Sequence, residues 1–252
     1  AKTPNLIAAS SNGAGYDPID VDACPAAGLA VVHQSGGNKE GVAEHALAMM
    51  LTLSKRIVEA DRDLRAGKDI PRGAFTGREL KDRTVGVLGI GNVGARVAEL
   101  CRGLFNMRVL AFDPLLSAEQ VKARGAEKVD FDTLLRESDF VSVHCPLTRD
   151  SRKMMNARAF GLMRPEAYFI TTARGFIHDE DALADALACK RIAGAGLDVW
   201  EEEPPPSSHP LMKFDNVLVS PHTAGATVES RENMSRFAAE QVLDILDGKR
   251  PP

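Results

Sequence analysis

The chain holds 252 residues, 44% of them apolar, with a formal charge of −4 and both signs mixed along its length. That length buries one large core or two smaller ones, and without a basic stripe for phosphate backbones nucleic-acid binding is set aside as a main activity. No apolar stretch approaches the roughly 20 residues of a membrane span, and AKTPNLIAAS lacks the basic start and cleavage pattern of a signal peptide, so a cytoplasmic globular protein working on small molecules is expected.

In chain order, PNLIAASSNGAGYD (4–17) reads as a buried strand running into a glycine-rich turn. Nothing precedes it to supply neighbouring strands, so the N-terminal part of the fold is expected to lie outside this chain. Residues 38–67 place Val42, Ala46, Met49, Leu53 and Ile57 at helical spacing, with Asn38 as N-cap and Gly67 as stop, and read as one long helix. Leu47, Met50 and Leu51 widen its apolar face beyond a single stripe, which suits a partner subunit as well as plain burial.

From residue 84, short β-rich runs alternate with helical patterns, the sequence form of a parallel sheet covered on both faces. The strands read TVGVLGIG, VLAFD, FVSVHC, AYFITTA, AGAGLDV and NVLVSP, and helices are expected at about 92–105, 117–124, 156–163 and 179–189. After the proline-stiffened loop EEEPPPSSHP and the last strand, residues 227–248 form an amphipathic helix. The expected class is α/β, a doubly wound parallel sheet of Rossmann type over 38–221, with a thin second domain built from 1–37 and 222–252.

VGVLGIGNVG (85–94) carries Gly89, Gly91 and Gly94 between a strand and a helix. A dinucleotide-binding turn needs that setting and an acidic residue about 20 positions on. Asp113 ends the next strand at that distance. Gly89 permits the tight turn, Gly91 lets a pyrophosphate approach the backbone at Asn92 and Val93, and Gly94 lets the helix pack on the strand. Gly13-Ala14-Gly15 and Gly194-Ala195-Gly196 share the Gly-x-Gly core, but Pro18 and Val199 stand where the third glycine belongs and no helical pattern follows. Asp113 repels a 2′-phosphate, and Pro114 and Leu115 offer no arginine for one, so NAD is the expected cofactor. The cysteines Cys24, Cys101, Cys145 and Cys189 are scattered and read mostly as buried fillers; no His/Cys/Asp cluster has metal spacing, and no metal is expected.

Three further stretches, TTARGFIHDEDAL (171–183), AGAGLDVWEEEP (193–204) and VLVSPHTAGAT (217–227), each run from a strand into a polar loop where ligands of such sheets bind. With these motifs the chain resembles the D-isomer-specific 2-hydroxyacid dehydrogenases over essentially its whole length, a group that includes phosphoglycerate dehydrogenases and glyoxylate and hydroxypyruvate reductases. The resemblance implies that Arg174 binds substrate, that His222 is the acid–base group, that Glu203 is its carboxylate partner, and that Asp198 orients the nicotinamide. It extends the cofactor site to Cys145 and Pro146, from HCPLT, and to Thr172 and Ala173. The small domain becomes an incomplete flavodoxin-like substrate domain in which Ala14 and Gly15 hold the substrate carboxylate, although a plain turn reads SNGAGYD equally well. Ser11 stands where some members carry an arginine, which weakens the case for a phosphorylated substrate. A homodimer through 38–67 is also implied.

Only the register against Asp198 and Pro204 selects Glu203 over Glu201 and Glu202, which read as a solvated face. Among the other histidines, His45 reads as packed beside the long helix, His33 and His144 as strand ends, and His209 as solvated. His178, where family members more often carry an aliphatic residue, reads as structural, with an effect on pH dependence as the sharper alternative. Two other functions share the motifs: an NAD-sensing corepressor-like interaction module, and a dehydrogenase using a donor such as formate or phosphite. Glu203 counts against formate, because related formate dehydrogenases carry glutamine there.

Overall fold

The computed structural model describes residues 5–17 and 19–250; Pro4, at the head of the expected first strand, lies outside them. The chain divides into two compact units, one from the residues up to Gly41 and those from Gly225 onward, the other from Val42–Ala224. In the first unit β1 (Ala8–Ser10) pairs in parallel with β2 (Ala30–Val32), Ala8 opposite Ala30 and Ser10 opposite Val32. The expected burial of β1 is not observed: Ala8 and Ala9 are half-buried and Ser10 is exposed.

The second unit opens within α1 (Lys39–Ser54) and continues through α2 (Ile57–Arg65), so the single helix expected over 38–67 is in fact two. Arg56 breaks it, in the left-handed region at φ 54°. Its guanidinium donates to Glu59 Oε2 at 2.6 Å and to the Ala74 carbonyl at 2.9 Å, while the Ser54 carbonyl accepts the Arg78 N–H at 2.8 Å. The 74–78 segment thus takes backbone and side-chain bonds that a continuous helix would use itself, a tertiary competition invisible to periodicity.

Seven parallel strands follow, in the spatial order β5-β4-β3-β6-β7-β8-β9. They and their helices are β3 (Thr84–Leu88), α3 (Asn92–Phe105), β4 (Arg108–Phe112), α4 (Ala118–Ala123), β5 (Glu127–Lys128), α5 (Phe131–Glu137), β6 (Phe140–Val143), α6 (Ala157–Leu162), β7 (Tyr168–Thr171), α7 (Glu180–Ala188), β8 (Gly194–Leu197) and β9 (Val217–Val219). Both β5, an exposed pair, and α5, capped by Asp130 accepting from the Thr133 N–H at 2.9 Å, escaped the sequence reading. The strands are apolar on both faces because each face is covered. Leu110, Val141 and Phe169 pack in one core with Phe160 and Leu183, and Val85, Phe140 and Ile170 pack in the other with Met49 and Val97.

Chain order runs from β3 outward to β5, then returns to β6 on the other side of β3. Ligands of open α/β sheets bind where the order reverses, outside the carboxyl ends of the strands. The last helix, α8 (Val228–Leu246), returns to the first unit, its start capped by Thr227 Oγ1 accepting from the Ser230 N–H at 3.0 Å. Among the described residues no helix is long and apolar enough to cross a membrane.

Candidate active site

At the reversal point, Gly89 has φ 85°, and a Cβ there would lie 2.6 Å from Cys145 Cα. A side chain would therefore separate the ends of β3 and β6. A Cβ on Gly94 would run into the Gly89 carbonyl, whereas one on Gly91 would meet nothing within 4 Å. Two of the three glycines are thus required by packing, and the third leaves open space at the N-terminus of α3, where Asn92, Val93 and Gly94 begin the helix. Backbone N–H groups and the positive end of a helix dipole suit a pyrophosphate there. Asp113 follows β4, its Oδ2 accepting from the Ile90 N–H at 3.2 Å and its Oδ1 from the Leu115 N–H at 3.0 Å. The carboxylate is thereby fixed beside the glycine loop. These features fit a dinucleotide.

The sequence reading missed Arg124, whose Nη1 donates to the Ile90 carbonyl at 2.5 Å. Arg124 stands beyond Pro114 and Leu115, the positions next to Asp113 where a cation for a 2′-phosphate is expected. At the end of β6, burial pushes the Cys145 thiol up to about 11, and the Pro146 carbonyl accepts from Ser151 Oγ at 2.7 Å. Thr172 is buried, with Oγ1 3.4 Å from His144 Nδ1, and burial pushes that imidazole down to about 3. His144 is therefore a neutral polar neighbour.

Arg174, Glu203 and His222 follow β7, β8 and β9, three adjacent parallel strands, so all three loops open at one edge of the sheet. His222 Nδ1 lies 2.7 Å from Glu203 Oε2, and Glu203 Oε1 accepts the Trp200 N–H at 3.1 Å. Glu203 therefore fixes the ring, turning Nε2 away from the carboxylate. The pair is partly exposed, with 43% and 36% of the two side chains accessible. Arg174 Nη1 donates to the Ala173 carbonyl at 2.6 Å. Asp198 is fully buried and its carboxylate accepts three hydrogen bonds from residues 220–224. These three bonds tie the carboxylate to the loop that carries His222.

Several side chains have surroundings other than those expected from sequence. His209 is not solvated: its Nε2 lies 3.0 Å from Glu180 Oε2, its ring packs edge-on against Trp200, and Glu180 Oε1 accepts the Glu201 N–H at 2.8 Å. Glu201 is likewise no open surface group, since it pairs with Lys153 Nζ at 3.4 Å. Both brace the loop that carries Glu203. His45 is more than packed, with Nε2 3.0 Å from Ser220 Oγ. His178 is fully buried against Phe169, and among the described residues neither ring nitrogen has a hydrogen-bond partner. Cys189 is exposed rather than a core filler.

Ala14 and Gly15 belong to the first unit. There Ser11 Oγ donates to the Gly15 carbonyl, His33 Nδ1 donates to the Ala14 carbonyl at 2.8 Å, and Gln34 Oε1 accepts the Gly13 N–H at 2.8 Å. These bonds use the carbonyls of Ala14 and Gly15, not their N–H groups. Among the described residues no His/Cys/Asp/Glu group could hold a metal ion.

The glycine loop, its aspartate and the doubly wound sheet define a dinucleotide-binding α/β protein. Residues 47–224 match the model of the D-isomer specific 2-hydroxyacid dehydrogenase NAD-binding domain. The chain is 41% identical to the D-3-phosphoglycerate dehydrogenase of Archaeoglobus fulgidus over 97% of its own length and 46% of that protein's. To the glyoxylate reductase of Thermofilum pendens it is 40% identical, covering 99% of this chain and 74% of that one. The D-lactate dehydrogenase of Aquifex aeolicus, solved with NAD and lactic acid, superimposes with a TM-score of 0.88 at 33% identity, covering 98% of this chain and 78% of that one. The chain belongs to the D-isomer specific 2-hydroxyacid dehydrogenase family. It spans less than half the length of the phosphoglycerate dehydrogenase it matches.

Proposed function

We propose that the protein is an NAD-dependent oxidoreductase interconverting a small D-2-hydroxy acid and its 2-oxo acid, of the glyoxylate, hydroxypyruvate or 3-phosphoglycerate type. The observation that carries this reading is the 2.7 Å His222–Glu203 pair at the sheet edge that also carries Arg174. The cofactor is assigned to Gly89, Gly91, Asn92, Val93, Gly94 and Asp113, flanked by Cys145, Pro146, Thr172 and Ala173; when bound, NADH supplies the hydride. Val42–Ala224 serves as the cofactor domain and the remainder as the substrate side, with Ala14 and Gly15 offering N–H groups to the substrate carboxylate.

Arg174 presents a planar guanidinium fork, which matches the carboxylate and keto oxygen of a 2-oxo acid. With Nδ1 engaged by Glu203, His222 delivers its proton from Nε2 to the keto oxygen during reduction and recovers one there during oxidation. Glu203 supplies the negative partner of the doubly protonated ring and fixes its orientation. Asp198 acts on this site through the His222 loop.

A homodimer joined through 38–67 is part of the reading. It is supported by the apolar surface of α2, where Ile57, Val58 and Leu64 are 52%, 43% and 71% exposed; a monomeric mass in solution rejects it. Free thiols at all four cysteines support a reducing, cytoplasmic setting.

The test is NADH oxidation by the full-length protein against glyoxylate, hydroxypyruvate, pyruvate, phosphohydroxypyruvate and longer 2-oxo acids. Turnover with one of the short acids names the substrate; NADH binding without turnover on any acid refutes the reading.

A further inference from the structure

A buried carboxylate gathers several of the bonds that hold the loop carrying His222. Asp198, fully buried just after β8, accepts from Ser220 Oγ at 2.6 Å, from the Thr223 N–H at 2.8 Å and from the Ala224 N–H at 2.9 Å. Its backbone carbonyl takes the His222 N–H at 2.7 Å. These bonds enclose His222, whose backbone sits in the left-handed region at φ 56°. A non-glycine residue holds that conformation only where its surroundings impose it.

Ser220 adds a further member. A hydroxyl has one proton, and an ionised carboxylate only accepts, so the Ser220 proton belongs to Asp198. The 3.0 Å contact between Ser220 Oγ and His45 Nε2 then has one direction, with Nε2–H donating to the serine oxygen. His45 Nε2 also lies 3.9 Å from Asp198 Oδ1. The fold delivers His45 there through close packing of α1 on β8. A Cβ on Gly196 would lie 3.0 Å from both Cβ and Sδ of Met49, so the glycine lets the helix settle on the strand. One helical turn before Met49 comes His45, and two residues beyond Gly196 comes Asp198.

We propose that His45 is a positioning residue for the acid–base step: through Ser220 it completes the bonds around Asp198 that fix the His222 loop. This inference rests on the reading of His222 as the acid–base group. Donation by His45 orients the serine and strengthens its bond to the carboxylate, because hydrogen bonds in a chain polarise one another.

The experiment compares His45→Gln, His45→Asn, Ser220→Ala and the double variant His45→Asn/Ser220→Ala in the full-length protein, with His222→Ala alongside. Glutamine places an amide N–H near the position of Nε2; asparagine is too short. Expected are a fall in kcat of about fivefold or more for His45→Asn and Ser220→Ala, recovery to within about twofold for His45→Gln, and KM for NADH within about twofold throughout. The double variant is expected to be no slower than Ser220→Ala, because the two residues act along one chain. Equal impairment of the Gln and Asn variants, multiplying effects in the double variant, or changes confined to KM or to the thermal midpoint overturn the proposal. If His45→Asn does not fold, Ser220→Ala against His45→Gln decides it, with an unchanged kcat in Ser220→Ala counting against. An active His222→Ala sinks the parent reading, whereas an inactive His222→Ala beside an unimpaired His45→Asn sinks this inference alone.

Discussion

A Cβ on Gly175 would run into the carbonyl oxygen of Trp200. That glycine therefore sets how closely the Arg174 loop lies against the loop whose Trp200 N–H holds Glu203. Gly175→Ala must push the two loops apart. We expect a loss of about 1–3 kcal/mol in urea unfolding, as for other overpacked buried sites, together with a fall in kcat/KM. Unchanged stability and turnover would show that the contact relaxes freely.

Burial pushes the His178 imidazole down from 6.5 to about 4. Between those values the unfolded chain binds a proton that the folded chain refuses. The neutral ring's contribution is therefore complete above about pH 6.5 and declines as pH falls toward 4, by on the order of 1 kcal/mol per unit. His178→Leu removes the titrating group and two unpartnered ring nitrogens. Its unfolding free energy should fall less steeply from pH 6.5 to 4 than that of the parent; parallel curves would place the acid sensitivity elsewhere, with the lowered His144 as the next candidate.

Glu203→Gln keeps an acceptor for His222 Nδ1 but removes the charge opposite the imidazolium. Reduction of a 2-oxo acid should slow by on the order of tenfold or more, while NADH affinity stays within about twofold. An undiminished kcat would mean that Glu203 is needed only for shape.

Asp113, fixed at the Ile90 and Leu115 N–H groups, favours ribose hydroxyls over a 2′-phosphate. NADH should bind about tenfold or more tightly than NADPH, and Asp113→Ala should narrow that gap. Tighter binding of NADPH by the parent protein refutes the preference; Arg124 would then be the cation to replace.

The strand runs from 84 to 219 and the glycine loop were legible because buried parallel strands are continuously apolar and a tight strand-to-helix turn demands glycine at fixed spacing. The break at Arg56 was not, since it depends on bonds to Glu59, Ala74 and Arg78 rather than on any helix-breaking residue. β5 was too short to show a period. In the candidate site, motif register selected Glu203 and His222, and the structure brings them into contact. The supports of that pair lay hidden. Ser220, His45, Glu180 and His209 are ordinary residues in sequence, and only tertiary contact joins them to Asp198 and the Glu203 loop.

The role of His222 as proton donor is tested most directly by rapid mixing of NADH-loaded protein with the best 2-oxo acid, comparing the parent with His222→Ala. Expected are an unchanged NADH affinity and a hydride-transfer rate lower by about 10²–10⁴-fold in the variant. Retention of most of the parent rate would contradict that role and move the proton donor to another group.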